Sequence, residues 1–163
     1  MVTEAKTSAA AAQSSNRAGA RIGRISELTV IVPLKPGGAD TLRARLAATK
    51  GLFKGADRVG TLHFMRFVLL NNDTQMLFAT AYDGDWDTYI NDFATKIPNE
   101  MDGLFSVVEG WPGIKSPQVK DFIVKHQITA TAWYSAYPDL TVAKIRRSAR
   151  VASALDNLLK ATG

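Results

Sequence analysis

The chain has 163 residues, of which 46% are hydrophobic and 21% are charged, proportions that are typical of one globular domain. It contains no cysteine, which excludes disulfide bonds, thiolate metal sites, iron–sulfur clusters and cysteine nucleophiles, and which fits a cytoplasmic location. No run of about 18 apolar residues occurs, so we predict no membrane partner.

The positive charge of the chain is concentrated at its start. The formal net charge is +5, and residues 1–24 contribute +3 of it, with Glu4 set against Lys6, Arg17, Arg21 and Arg24. The remainder is nearly balanced, so the charge gives no support for a nucleic-acid partner. The segment is rich in Ala and Ser but too polar for the core of a signal peptide. We predict a disordered tail over residues 1–24, with an organellar transit peptide as the alternative.

Hydrophobic periodicity and turn residues divide the remainder into strands and helices. The predicted elements are a strand over 28–34, a helix over 42–51, a hairpin of strands over 59–70 and 75–82, a helix over 86–97, two short helices over 101–108 and 117–126, a strand over 128–137 and a closing helix over 141–160. The domain is predicted to begin at Ile25. The polar turn Asn71–Thr74 indicates the hairpin.

The clearest helix carries apolar residues at i, i+3, i+4, i+7 and i+11 from Trp86 to Ile97, with Asp83 or Asp85 as its N-cap. Alternation of small and large residues indicates the last strand. In the closing helix we predict that an apolar stripe faces inward, made of Val142, Ile145, Ala149, Ala152 and Leu159.

This order of elements predicts an α+β fold. It is a ferredoxin-like βαββαβ domain over residues 25–163, in which an antiparallel sheet has helices on one face, extra helices precede the last strand and a helix ends the chain. The other face of such a sheet needs a cover, and the usual cover is a second copy. We therefore predict a homodimeric α/β barrel with an internal cavity.

Polar residues within the strands are the candidates for chemistry. His63 is either a hydrogen-bonded core residue or a base, and strict alternation places it on the face opposite Arg66. Arg66 needs a polar partner, for which Asp83 and Asp85 are the candidates, in a pair that is either structural or functional. We predict His63, Arg66 and Asp83 as catalytic residues.

The aromatic residues Phe67, Trp133 and Tyr134 are predicted to line a ligand pocket, although Trp133 would equally fill a barrel or dimer core. His126 closes the helical stripe before the last strand, where packing or a helix C-terminus would explain it. The two histidines lack the H-E-x-x-H spacing, so no metal site is predicted. Motifs that bind nucleotide phosphates are missing as well.

Three phrases carry a family resemblance: His63–Val68, Phe78–Phe93, and His126–Gln127 together with Trp133–Pro138. In these the chain resembles a poorly characterised bacterial family of ferredoxin-like domains within the dimeric α/β-barrel group. That group also holds dye-decolourising peroxidases, chlorite dismutases and cofactor-free monooxygenases. The resemblance covers roughly residues 25–150.

The resemblance implies haem as one cofactor to consider, and two departures bear on it. A dye-decolourising peroxidase would show Gly-x-x-Asp-Gly, whereas Thr80 stands in place of the first glycine, ahead of Asp83-Gly84. The closing helix offers no proximal histidine, so only His126 would substitute. The cofactor therefore stays unknown, and none is favoured.

Two functions follow as expectations. The first is a small-molecule-binding dimeric barrel, including a cofactor-independent oxidative enzyme, whose cavity His63 and Trp133 would line. The second is a non-catalytic dimerisation or assembly module, in which dimer contacts would consume the same sheet face. A haem-binding, peroxidase-like protein is a further alternative. A pocket of roughly 300 Å³ or more at His63 or Arg66 would favour the first.

Overall fold

The computed structural model describes residues 18–48 and 52–162, which form an antiparallel sheet of four strands and six helices. The strands are β1 (Arg21–Ile22), β2 (Ile25–Pro33), β3 (Leu62–Leu70) and β4 (Gln75–Asp83). The helices are α1 (Gly38–Ala48), α2 (Leu52–Val59), α3 (Trp86–Lys96), α4 (Pro98–Phe105), α5 (Val119–His126) and α6 (Val142–Thr162). The α+β class and the closing helix are confirmed. No helix in the described ranges combines the length and apolar character needed to cross a membrane.

The sheet has the order β1-β2-β4-β3. Strands β2 and β4 pair along their whole length, from Ile25 opposite Asp83 to Pro33 opposite Gln75. The predicted hairpin of β3 and β4 is confirmed. Its turn residues Asn71, Asn72 and Asp73 have φ of 50°, 51° and 67°, a left-handed conformation that Asn and Asp adopt more readily than other side chains.

The core lies between one face of the sheet and the helices. Leu28 and Val30 of β2 and Phe78 of β4 are almost fully buried on this face, as are Trp86 and Phe93 of α3. The predicted apolar stripe of α3 is therefore confirmed. Asp85 is its N-cap, and the Thr88 backbone N–H donates to its carboxylate over 2.9 Å, which holds the pKa of Asp85 below its usual range.

Helices α4 and α5 match the two short helices that we predicted, with small differences at their ends. The helix predicted over 42–51 is confirmed as α1, although both of its ends lie earlier in the chain. Helix α2 was not predicted, and because it continues to Val59, β3 begins at Leu62 rather than at residue 59. The residues between α1 and α2, 49–51, lie outside the described part of the chain.

The strand predicted over 128–137 is wrong. Only Gln127 bridges β2, opposite Val30, and the Ile128 N–H donates to the Thr29 carbonyl over 2.8 Å. Beyond Thr29 the edge of β2 is already occupied, because β1 pairs with its first residues and the Glu27 N–H donates to the Ala20 carbonyl over 2.9 Å. The segment after Ile128 therefore leaves the sheet edge.

Residues 18–24, which we assigned to the tail, pack as part of the domain. Ala18 is buried, and β1 forms a short hairpin with β2. Gly19 has φ of +79°, and a Cβ there would lie 1.8 Å from the Glu27 carbonyl oxygen, so only glycine fits this close approach. The rest of the predicted tail, residues 1–17, lies outside the described residues.

Helix α6 forms where we predicted it, but its apolar stripe does not pack inward. Val142 is buried, whereas Ile145 is 41% exposed and Leu159 is 60% exposed. The helix is held at its start, where the Val142 N–H donates to Asp83, and by an exposed ion pair between Arg146 and Asp57. Within the described residues its apolar side is thus left facing solvent.

Candidate functional site

The face of the sheet that carries no helices forms the floor of an open groove of about 760 Å³. The segment that leaves the sheet after Ile128 provides one wall, from Ala130 to Tyr137, and Leu140 and Ile145 close the end near α6. The Arg24 N–H donates to the Pro138 carbonyl over 2.8 Å and ties this wall back to the sheet. The wrongly predicted strand is therefore the wall of the groove.

Strand pairing sets out the floor of the groove in rows. Ala81 of β4 lies between Phe64 of β3 and Glu27 of β2, and in the next row Ala79 lies between Arg66 and Thr29. Side chains in one row stand on the same face of a sheet. The two alanines leave space along the middle strand, so the larger side chains flank an open trough.

His63 and Asp83 form a shielded polar pair at one end of the groove. The His63 Nε2 lies 2.7 Å from the Asp83 Oδ1, and the two side chains are only 8% and 12% exposed. A β-bulge between Leu62 and Phe64 shifts the pairing register. Strict alternation had placed His63 opposite Arg66, and this bulge is why both residues line the same groove.

Asp83 lies behind the groove rather than on its surface. Its Oδ2 accepts the Val142 backbone N–H at the start of α6 over 2.8 Å, while Oδ1 contacts His63. An ionised carboxylate is only an acceptor, so Nε2 of His63 carries the hydrogen in this contact and Nδ1 of the neutral ring keeps a lone pair. An imidazole oriented in this way is equipped to accept a proton.

Arg66 makes no hydrogen bond or ion pair with the described residues, and its side chain is exposed on the groove floor. The pairs that we predicted with Asp83 or Asp85 are wrong. The Asp83 carboxylate is hydrogen-bonded to His63 and to the start of α6, and Asp85 is the N-cap of α3. The groove thus has one guanidinium whose charge no described side chain balances.

Glu27 is a site residue that the sequence analysis missed. It is 6% exposed and lines the groove. Its Oε1 accepts the backbone N–H groups of Ala20 and Ala130 over 2.9 and 3.1 Å, and its Oε2 accepts the Thr29 hydroxyl over 3.2 Å. The available signal was a carboxylate among the β-branched residues of a strand, a placement that needs partners.

The three aromatic residues that we predicted to line a pocket do not lie on the same side of the sheet. Trp133 and Tyr134 line the groove, Tyr134 being 84% exposed. The Trp133 Nε1 is buried and has no hydrogen-bond partner among the described residues. Phe67 lies on the opposite face of the sheet, with ring centroids 5.0 Å from Phe78 and 6.4 Å from Phe105, and is a core residue rather than a pocket residue.

The groove residues do not fit a haem. His126, the replacement ligand that we considered, lies on α5, outside the groove, where its Nδ1 contacts the Phe122 carbonyl oxygen over 2.9 Å. His63 is the imidazole that does line the groove, and Asp83 holds its Nε2. The described part of the chain also brings together no group of three or more His, Asp or Glu side chains able to hold a metal ion.

Comparisons of the chain with protein-family models, with curated proteins and with solved structures found no match. The geometry of this groove is therefore the feature of the molecule that bears on its function.

Proposed function

We propose that the protein binds a small organic molecule in the groove over the helix-free face of its sheet. One observation carries the proposal: a groove of about 760 Å³ that brings His63 and Arg66 together among aromatic and small side chains. Ligand sites commonly have volumes of about 300–1,000 Å³ and a few polar groups on a mostly apolar lining. Both features are present here.

The same groove supports a catalytic form of this function, a cofactor-independent enzyme. In it His63 would take a proton from the bound molecule through Nδ1, while Asp83 would hold the ring in one tautomer and stabilise the imidazolium. Asp83 is then a positioning residue, because it lies behind His63 and does not line the groove. Arg66 would hold negative charge on the substrate.

Native mass spectrometry of the protein purified from its own host tests binding directly. We expect an adduct of a few hundred daltons that is released on denaturation. Ala132→Trp should lower the adduct level, because Ala132 lines the groove and the indole would occupy part of it. Ala154→Trp on α6, outside the groove, is the matched control and should keep the adduct. Equal adduct levels in all three proteins would contradict the proposal.

We further propose that the domain is a ferredoxin-like variant that pairs with a second copy as a dimeric α/β barrel. Strands β2, β4 and β3 lie side by side, and the bridge at Gln127 stands where a fourth strand would begin. On the open face Phe64 is 76% exposed and Val68 is 40% exposed. A second sheet packed there would bury them and enclose the groove.

Helix α6 favours the second candidate function, a non-catalytic assembly module. Its exposed large apolar side chains are Ile145, Val151, Leu155, Leu158 and Leu159. They need a cover in water, and a second copy would supply one. In this function the two copies would associate through their apolar surfaces, and the second copy would fill the groove over the sheet.

Light scattering at micromolar concentration tests the dimer. We expect a dimer mass for the native chain and a monomer mass for Leu155→Glu combined with Leu159→Glu, because two buried carboxylates would oppose association. Ser153→Glu, on the polar side of α6, should remain a dimer. A monomer mass for the native chain would refute the dimer, whereas a dimer that excludes every small-molecule probe would favour the assembly module.

A further inference from the structure

We infer that the ligand of the groove is an organic anion, a flat apolar body with a carboxylate that Arg66 binds. This inference rests on the proposed function and names the chemical class of its ligand. It follows from a comparison of the hydrogen-bond acceptors and donors at the groove, because the groups that remain unused there define what a ligand must bring.

The carboxylates at the groove are already occupied. Glu27 accepts two backbone N–H groups and the Thr29 hydroxyl. Asp83 is engaged by His63 and by the start of α6, and it does not line the groove. A cationic ligand would therefore find no unoccupied carboxylate here to balance its charge.

The unused charged group is a donor, whereas the acceptors left at the groove, Nδ1 of His63 and the hydroxyl oxygens of Tyr134 and Tyr137, are neutral. The Arg66 guanidinium has no acceptor among the described residues, and the indole N–H of Trp133 lacks one as well. Arg66 and Glu27 stand in different rows of the sheet with β4 between them, and Glu27 is hydrogen-bonded to other groups, so it does not take up the Arg66 charge. A carboxylate matches the planar fork of a guanidinium and accepts two parallel hydrogen bonds from it.

The surroundings of Arg66 define the rest of the ligand. Phe64 stands on the same face of β3, and across the trough the groove presents Trp133, Tyr134 and Ile145. The floor between them is made of alanine side chains, which offer no hydrogen bond. An aromatic or cyclic hydrocarbon would lie flat in such a space, with its carboxylate at Arg66.

Three probes that share one hydrocarbon test the charge preference: 2-naphthoate, naphthalene-2-methanol and 2-naphthylmethylammonium. Titrations followed by tryptophan fluorescence and calorimetry should give at least tenfold tighter binding of the naphthoate than of the alcohol, with the amine weakest. Arg66→Gln should reduce naphthoate affinity at least tenfold, to that of the alcohol, and leave the alcohol unchanged. Arg66→Lys should give an intermediate affinity, because it keeps the charge but loses the bidentate geometry.

Arg147→Gln, which removes a charge on α6 outside the groove, is the control and should not change any of the three affinities. Equal binding of the naphthoate and the alcohol would overturn the anion inference while leaving small-molecule binding intact. If none of the probes binds and the protein from its host carries no adduct, the proposed function fails as well. Loss of dimer mass in Arg66→Gln with unchanged naphthoate affinity would assign Arg66 to the subunit contact and refute the inference.

Discussion

Replacing Glu27 with alanine is expected to lower the free energy of unfolding by about 3 kcal/mol, a large share of the stability of an ordinary domain. The carboxylate joins three parts of the chain, since Ala20, Thr29 and Ala130 all donate to it. Removing it leaves two part-buried backbone N–H groups without an acceptor, and each such group costs about 1–3 kcal/mol. Denaturant unfolding followed by circular dichroism measures the loss.

Two further variants make the result specific to the carboxylate. Glu27→Gln keeps one acceptor oxygen and is expected to lose about 1 kcal/mol. Glu109→Ala, at an exposed side chain, should stay within about 0.5 kcal/mol of the native protein. Hydrogen exchange should quicken at Ala20 and Ala130 in Glu27→Ala. An unchanged unfolding midpoint would show that Glu27 does not hold these segments together.

The parts of the fold that sequence predicted well are those fixed by local patterns. In α3 the spacing of Trp86 and Phe93, the capping carboxylate of Asp85 and the following Pro98 all act within a few residues of one another, and the structure has the helix as predicted. The hairpin at Asn71 depends likewise on a turn that tolerates a left-handed backbone.

The failures arise from competition between distant segments. Residues 128–137 alternate as a strand would, yet Arg21 and Ile22 already occupy the edge that they would need. Nothing near Ile128 in the sequence reveals this. The stripe of α6 shows the same limit, because periodicity identifies an apolar side of a helix but not what packs against it.

The candidate site was predicted in part. His63, Arg66, Trp133 and Tyr134 line one groove, but the bulge after Leu62 was needed to bring the first two together. A bulge moves one side chain to the other face of the sheet, and a prediction based on strict alternation does not include bulges. Glu27 was not predicted as a site residue, for a different reason. Its partners are backbone groups far along the chain, which no side-chain pattern records.

Asp83→Ala is expected to lower the free energy of unfolding by at least about 3 kcal/mol and to release two elements at once. The carboxylate accepts from His63 and from the Val142 N–H, and hydrogen bonds to charged groups contribute about 1.5–3 kcal/mol each. The Asp83 side chain is only 12% exposed, so in the variant water would not fully satisfy the donors that it leaves without an acceptor. We expect faster hydrogen exchange at Val142 and a lower melting temperature.

The tautomer of His63 provides a readout that a purely structural role of Asp83 would not change. With Asp83 in place the neutral imidazole carries its hydrogen on Nε2, and nitrogen NMR of the ring should show Nδ1 as the unprotonated atom. In Asp83→Ala both tautomers should appear. Asp83→Asn keeps one acceptor and should retain most of the stability, but its amide can also donate to Nε2. The ring would then favour a hydrogen on Nδ1, the atom that would accept the proton in the proposed catalytic function, so Asp83→Asn should change the tautomer of His63 much more than the stability of the protein. Equal losses of stability in Asp83→Ala and Asp83→Asn, with the tautomer of His63 unchanged in both, would indicate that Asp83 anchors α6 without orienting His63.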